Sequence, residues 1–180
     1  MSDKEAREII GTRDALTLEN DLAARRVTPD EAVIRELHRR VLWNQSSLLT
    51  PGEYRRGENG VLDADGSPIF RTPPSGDVPD LMHEFAAWLA TATKRHAPPV
   101  VAALAHLEFV AIHPFHDGNG RTAHAIARLI LVRHGFALGG LARSTLSSTS
   151  IDPHISPPSG RRLVRTLSLA MTRRLSPATS

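Results

Sequence analysis

The sequence predicts an all-α domain that carries one small β-hairpin. Three observations lead there. Apolar residues recur at helical spacing over most of the chain. That periodicity is lost from Asn44 to Pro79, where Gly, Pro, Asp and Ser are frequent and two short apolar pieces flank a turn. Finally, 180 residues with 41% hydrophobic content suffice to bury one core.

The elements follow in order. Residues about 3–24 and 28–43 read as helices. Thr28-Pro29-Asp30-Glu31 opens the second, with Thr28 as its cap, Pro29 in the first turn and the acids at the positive helix end. Its inward positions are Val33, Ile34, Leu37, Val41 and Leu42. Val61-Leu62 and Ile69-Phe70 flank Asp63-Ala-Asp-Gly-Ser67 and read as a hairpin. A helix runs from Val78 to about Lys94 with Leu81, Phe85, Trp88 and Leu89 on one face. Pro98-Pro99 opens the next, to Ile112, which is apolar nearly all round and expected to be central. A helix from about Arg121 to His134 buries Ala123, Ile126, Ala127, Ile130 and Leu131 and is ended by Gly135. Leu138 to Gly160 reads as irregular, and a last helix, about Arg161 to Arg174, turns Leu163, Val164, Leu167 and Met171 inward.

Composition excludes several classes of chemistry. There is no cysteine, hence no disulfide, thiolate metal site or cysteine nucleophile. The N-terminus is charged and has no signal-like apolar stretch, and no apolar run approaches the roughly 20 residues that span a bilayer. No membrane partner is expected. The expected location is cytoplasmic, or outside the cell by a specialised secretion system. From Gly118 onward stand nine arginines and one acid, Asp152, a net of +8 that leaves −5 for residues 1–117 within a total of +3. This basic part reads either as a solvated face or as an electropositive site for a polyanion such as a nucleotide. With 4% aromatic content it lacks a stacking platform, so nucleic acid is not expected.

The chemistry concentrates in His113-Pro-Phe-His-Asp-Gly-Asn-Gly-Arg121, a turn between two apolar helices. Gly118, Asn119 and Gly120 can bring backbone N–H groups close to a ligand at a helix start, where those groups lack internal partners and the dipole is positive. Arg121 adds a fork of donors suited to phosphate oxygens. Asp117 is a hard oxygen ligand of the kind Mg²⁺ takes when it arrives with a polyphosphate. His113 can accept a proton from an attacking hydroxyl near neutral pH. The expected reaction is substitution at phosphorus, driven by positioning and charge stabilisation.

This stretch resembles the signature of the Fic family, His-x-Phe-x-Asp/Glu-Gly-Asn-Gly-Arg-x-x-Arg. Glu36-Leu-His-Arg-Arg-Val-Leu42, Pro51-Gly-Glu-Tyr-Arg55, Met82-His-Glu-Phe-Ala-Ala-Trp-Leu89 and Ala102-Ala-Leu-Ala-His106 also stand in that family's order, so the resemblance covers about Ile9 to Phe136. It implies one Fic domain over residues 1–180, with its core at about 9–136 and a helical extension at about 160–175. It implies transfer of AMP from ATP to a Ser, Thr or Tyr hydroxyl of a target protein. His113 would be the base, Asp117 would hold Mg²⁺, and Gly118, Asn119, Gly120 and Arg121 would hold the phosphates, while Phe115 anchors the loop. The flap, with Val61, Leu62, Ile69 and Phe70, would align the target as an added strand.

The signature's second arginine is replaced by His124, which is shorter and not bidentate. His124 is assigned to the phosphate site, and Arg128, one turn further, is too far to substitute for the missing arginine. The alteration leaves open a Fic-fold phosphotransferase, another nucleotidyltransferase, or a catalytically weak binding module. In many relatives a glutamate in a Ser/Thr-x-x-x-Glu-Gly/Asn helix inhibits through the second arginine. Ala15-Leu-Thr-Leu-Glu19-Asn20 matches that pattern in part, but its neighbours align beyond the inhibitory helix, so Glu19 is set aside. Either inhibition is then expected from a separate antitoxin-like protein that supplies the glutamate, with this chain as the toxin partner, or none is needed because position 124 is already altered. His116 is expected to face solvent and His106 to pack as a core histidine. Trp43, Trp88 and Phe85 are expected in the core. His38 is expected to cap or pack near the flap base, and Arg55 either orders the flap or forms a surface ion pair.

Overall fold

The computed structural model describes residues 3–42, 50–62 and 68–136. Among the described residues there are five helices and one hairpin: α1 (Asp3–Ala24), α2 (Glu31–Val41), β1 (Gly60–Leu62), β2 (Pro68–Arg71), α3 (Val78–Ala92), α4 (Pro98–Ile112) and α5 (Asn119–Arg133). The all-α class with a hairpin is the one the periodicity predicts. Leu138 to Gly160, the helix at Arg161 to Arg174, Trp43 and the hairpin turn at 63–67 lie outside the described residues.

The start of α2 corrects the expected cap. Asp30, not Thr28, is the N-cap: its carboxylate accepts from the Val33 N–H at 2.8 Å. Thr28 and Pro29 precede the helix. Asp30 prevails because its ionised oxygen both takes an orphan N–H and meets the positive helix end, together worth about 1 kcal/mol or more. α5 ends as expected. Gly135 adopts φ 87°, its N–H donates to Val132 O at 3.0 Å, and the Phe136 N–H donates to Leu131 O at 3.1 Å.

The core lies between α4 and α5, whose contact is the most extensive of any helix pair, with α1 and α2 on one side and α3 on the other. Phe109, Ile112, Phe115, Ile126, Leu129, Met82, Ile34 and Leu37 are fully buried there. Of the expected aromatic core, Phe85 is buried and Trp88 packs against its edge. Burying one such large apolar side chain contributes about 1.5–3 kcal/mol. α4 is central as expected on the side it turns to α3 and α5, but Val100 and Leu107 remain 49% and 46% exposed on its outer side. β1 and β2 pair antiparallel, Gly60 with Arg71, Val61 with Phe70 and Leu62 with Pro68, with an irregularity between Val61 and Leu62.

Candidate active site

α4 stops at His113, which caps it in the left-handed conformation (φ 52°, ψ 56°). Few non-glycine residues take this shape, which costs about 1–3 kcal/mol unless its surroundings hold it. The chain then reverses and α5 starts, with Gly118 (φ 75°) as N-cap. A side chain at 118 would be strained, and its Cβ would also lie 3.2 Å from the Leu42 side chain. The whole loop therefore turns within six residues.

Its inner side is pinned by neutral groups. Phe115 is fully buried, and the His38 ring stacks on it at 3.6 Å and 9°. His38 Nε2–H donates to Asp117 O at 2.9 Å, while Nδ1 accepts from the Gly52 N–H at 2.7 Å. Two partners of fixed polarity define the tautomer. Burial drives the His38 imidazole down to about 4, so it stays neutral near pH 7. The Asn119 amide is buried too, accepting from the Phe115 N–H at 2.9 Å and donating to Phe115 O at 2.8 Å. The Asn119 side chain thus closes the loop, and only its backbone is left to meet a ligand. Thr122 Oγ1–H donates to Gly118 O at 2.9 Å.

The outer side carries the reactive groups. His113 Nδ1 lies 3.3 Å from Val110 O. A carbonyl can only accept, so Nδ1 carries the hydrogen and Nε2 keeps its lone pair. Burial, then the neighbouring Arg55 charge, lowers the His113 imidazole below its usual range, against the raising effects of the Val110 hydrogen bond and Asp117. A neutral base follows near pH 7. One Asp117 oxygen takes the Gly118 N–H at 2.6 Å; the other lies 3.6 Å from Arg121 Nη2. Asp117 is half exposed, while Arg121 is mostly covered and also reaches Val41 O at 3.5 Å. At Gly120 an added Cβ would meet nothing within 4 Å, so the surface is open over that peptide. His116 is exposed, as expected. Among the described residues no group of three or more His, Asp or Glu could hold a metal ion.

His124 is exposed. Its Nδ1 donates to Gly120 O at 2.8 Å, and its ring meets that of His106 edge-on at 4.6 Å. Position 124 therefore offers a ligand one ring nitrogen, not a fork. His106 is half-buried, and its Nε2 finds no hydrogen-bond partner among the described residues. Arg128 is committed elsewhere, at 2.8 Å from Glu19 and 3.1 Å from Asn20 on α1. Glu19 is almost wholly buried, and burial pushes its carboxyl up to about 7 despite Arg128. Three roles escaped sequence reasoning: the Asn119 bracket, the Glu19–Arg128 pair and the contact of His38 with Asp117. The first carried a signal, because an asparagine between two loop glycines often bonds its own backbone.

Arg55 settles one open alternative. It is buried and bonded to backbone carbonyls at the hairpin base, not paired at the surface.

The profile of the Fic/DOC family matches residues 28–131, more than half of the chain. The chain belongs to the Fic/DOC family. Over 133 residues it is 38% identical to the protein adenylyltransferase Fic of Drosophila melanogaster, covering 73% of this chain and 26% of that protein. The protein of the same name from Nematostella vectensis is 36% identical over 137 residues, covering 73% of this chain and 30% of that one. The chain thus spans about a quarter of the length of these curated relatives. Among solved structures, a Fic-domain-containing signaling protein from Bacteroides thetaiotaomicron superposes with a TM-score of 0.67 at 32% identity, covering 74% of this chain and 50% of that one. Fic-1 from C. elegans superposes at 0.63, also at 32% identity, covering 75% and 38%. The Fic fold of this chain places the loop of residues 113–121 between its two most closely packed helices.

Proposed function

We propose that the chain is a protein adenylyltransferase, moving AMP from ATP to a Ser, Thr or Tyr hydroxyl of a target protein. The observation that carries the reading is the His113 tautomer: with Nδ1 hydrogen-bonded toward Val110 O, Nε2 is left as a proton acceptor at the start of the glycine loop. In the step, the acceptor oxygen bonds to the α-phosphorus, its proton passes to Nε2, the bond to the β-phosphate breaks and diphosphate leaves.

The phosphates would meet the α5 N-terminus through the backbone of Gly118, Asn119 and Gly120, with Arg121 and His124 at the rim. The open space over Gly120 supports this, since packing within the protein does not demand glycine there. Mg²⁺ fits the site in one way. Asp117 offers one carboxylate, which suits an ion that keeps its waters and takes its other ligands from phosphate oxygens. Held there by Asp117, such an ion would supply charge neutralisation at those oxygens. The hairpin strands, with Val61, Leu62, Ile69 and Phe70, would receive the target backbone by strand addition. No described helix is long and apolar enough to cross a membrane. The location we propose is the cytoplasm, or outside the cell through a specialised secretion system. Regulation would fall to a separate antitoxin-like protein, because Glu19 is already bound to Arg128.

A second reading, transfer of another phosphoryl-containing group, draws on His124, which offers no fork for the terminal phosphates. One assay separates the two: purified protein, Mg²⁺ and target lysate with ATP labelled at the α- or the γ-phosphate. Label from the α-position, lost by about 10²–10⁴-fold in His113→Ala, is the expected result for a general base. Label from γ alone makes the chain a phosphotransferase. No label from any nucleoside triphosphate removes both readings.

A further inference from the structure

Arg55 stands in the irregular stretch before β1, yet its side chain is buried. Burying a guanidinium is costly unless its donors are met. Here each of the three guanidinium nitrogens donates to a backbone carbonyl. Nε donates to His113 O at 2.9 Å, Nη1 to Gly57 O at 3.0 Å, and Nη2 to Pro73 O. The Arg55 backbone N–H adds a bond to Pro114 O at 2.9 Å.

These carbonyls belong to separate parts of the chain. His113 and Pro114 belong to the catalytic loop; Gly57 and Pro73 are the two feet of the hairpin. The feet are tied to each other by Thr72 Oγ1–H, which donates to Asn59 O. The Asn59 amide reaches the loop a second time, at His116 O, 3.3 Å away. The left-handed turn at His113 fixes where its carbonyl points, and Arg55 Nε is the donor that meets it there.

We infer that Arg55 is a positioning residue that couples the hairpin to the His113 imidazole, so that an acceptor polypeptide laid on the hairpin is registered against the base. The planar fork sets three carbonyls at fixed mutual positions, which an ammonium on a flexible stem cannot do. Both feet of the hairpin and the strained turn then move as one body. The inference rests on the proposed transfer only for its effect on rate; the coupling itself is a property of the fold.

The experiment uses the full chain with Arg55→Lys and Arg55→Gln. In each, kcat for transfer to a protein target should fall about 100-fold, the scale of a misplacement of about 1 Å, while KM for ATP stays unchanged. Amide exchange should quicken together in residues 60–62, 69–71, 113, 115 and 116. In the wild-type chain, the hairpin and loop amides should open with one common free energy and denaturant slope. This last measurement stands even if both variants fail to fold. An unchanged kcat in either folded variant, a KM for ATP that rises as kcat falls, or hairpin and loop amides that open independently would each overturn the coupling. A wild-type chain that transfers nothing refutes the proposed activity instead, and the exchange data still decide Arg55.

Discussion

Two stretches of α5 are anchored by opposite means. At its first turn the buried side chains that hold it are neutral: the Asn119 amide on Phe115, the His38 imidazole on Asp117 and the Thr122 hydroxyl on Gly118. Two turns on, the anchor is ionic, Arg128 against a buried Glu19. The difference has an electrostatic reason. If a polyanion binds over the loop, as proposed, amide and imidazole bonds beneath the first turn hold geometry and leave the helix dipole to the ligand. At Arg128, farther along the helix, the protein can use a charge pair, at the cost of stripping water from a carboxylate.

Breaking the neutral anchor should have the largest effect. Asn119→Ala leaves the buried Phe115 N–H and C=O without partners, at about 1–3 kcal/mol each. Urea unfolding should show a loss of several kcal/mol, and a loss below about 1 kcal/mol means that the bracket does not hold the loop.

The ionic anchor makes a prediction whose sign can be worked out. Glu19 is raised from 4.5 to about 7, so the folded state favours the protonated carboxyl. Its contribution to stability is complete below about pH 4.5 and is lost as pH rises through 7. Glu108 is raised to about 7 by burial and the Glu84 charge and acts in the same sense, whereas His38, lowered from 6.5 to about 4, acts oppositely below 6.5. Comparing Glu19→Gln with wild type cancels the other groups. Between pH 5 and pH 8 the stability difference should move by up to about 3 kcal/mol, with wild type relatively better at pH 5. A difference that moves the other way means that Arg128 outweighs the burial.

The smallest effect sharpens the contrast from the ligand side. Gly120→Ala meets no protein atom, so stability should hold or rise by roughly 0.5–1 kcal/mol from helix propensity. ATP affinity, measured by calorimetry, should nevertheless fall about 10-fold, equivalent to 1.4 kcal/mol. Unchanged affinity means that phosphate does not approach this peptide.

Much of this was legible along the chain. α4, the turn and α5 announce themselves through an apolar run, two glycines and a resumed helical period, because each signal lies within a few residues of the next. The α2 start was misjudged because Thr28 and Asp30 both cap well, and only the path of the chain decides between them. Arg55 could be read two ways, since an arginine among glycines and glutamates has the same appearance whether it is buried or not.

By itself the sequence determined the described helices, the hairpin, the family and the nine-residue loop, for these rest on local spacing and local chemistry. Only the tertiary structure decided what holds the loop still. His38 meets Asp117 across 79 residues, Arg55 meets His113 across 58, and Glu19 meets Arg128 across 109. Contacts between such distant residues follow no local period, because they form only where helix packing brings two buried groups of matching polarity together.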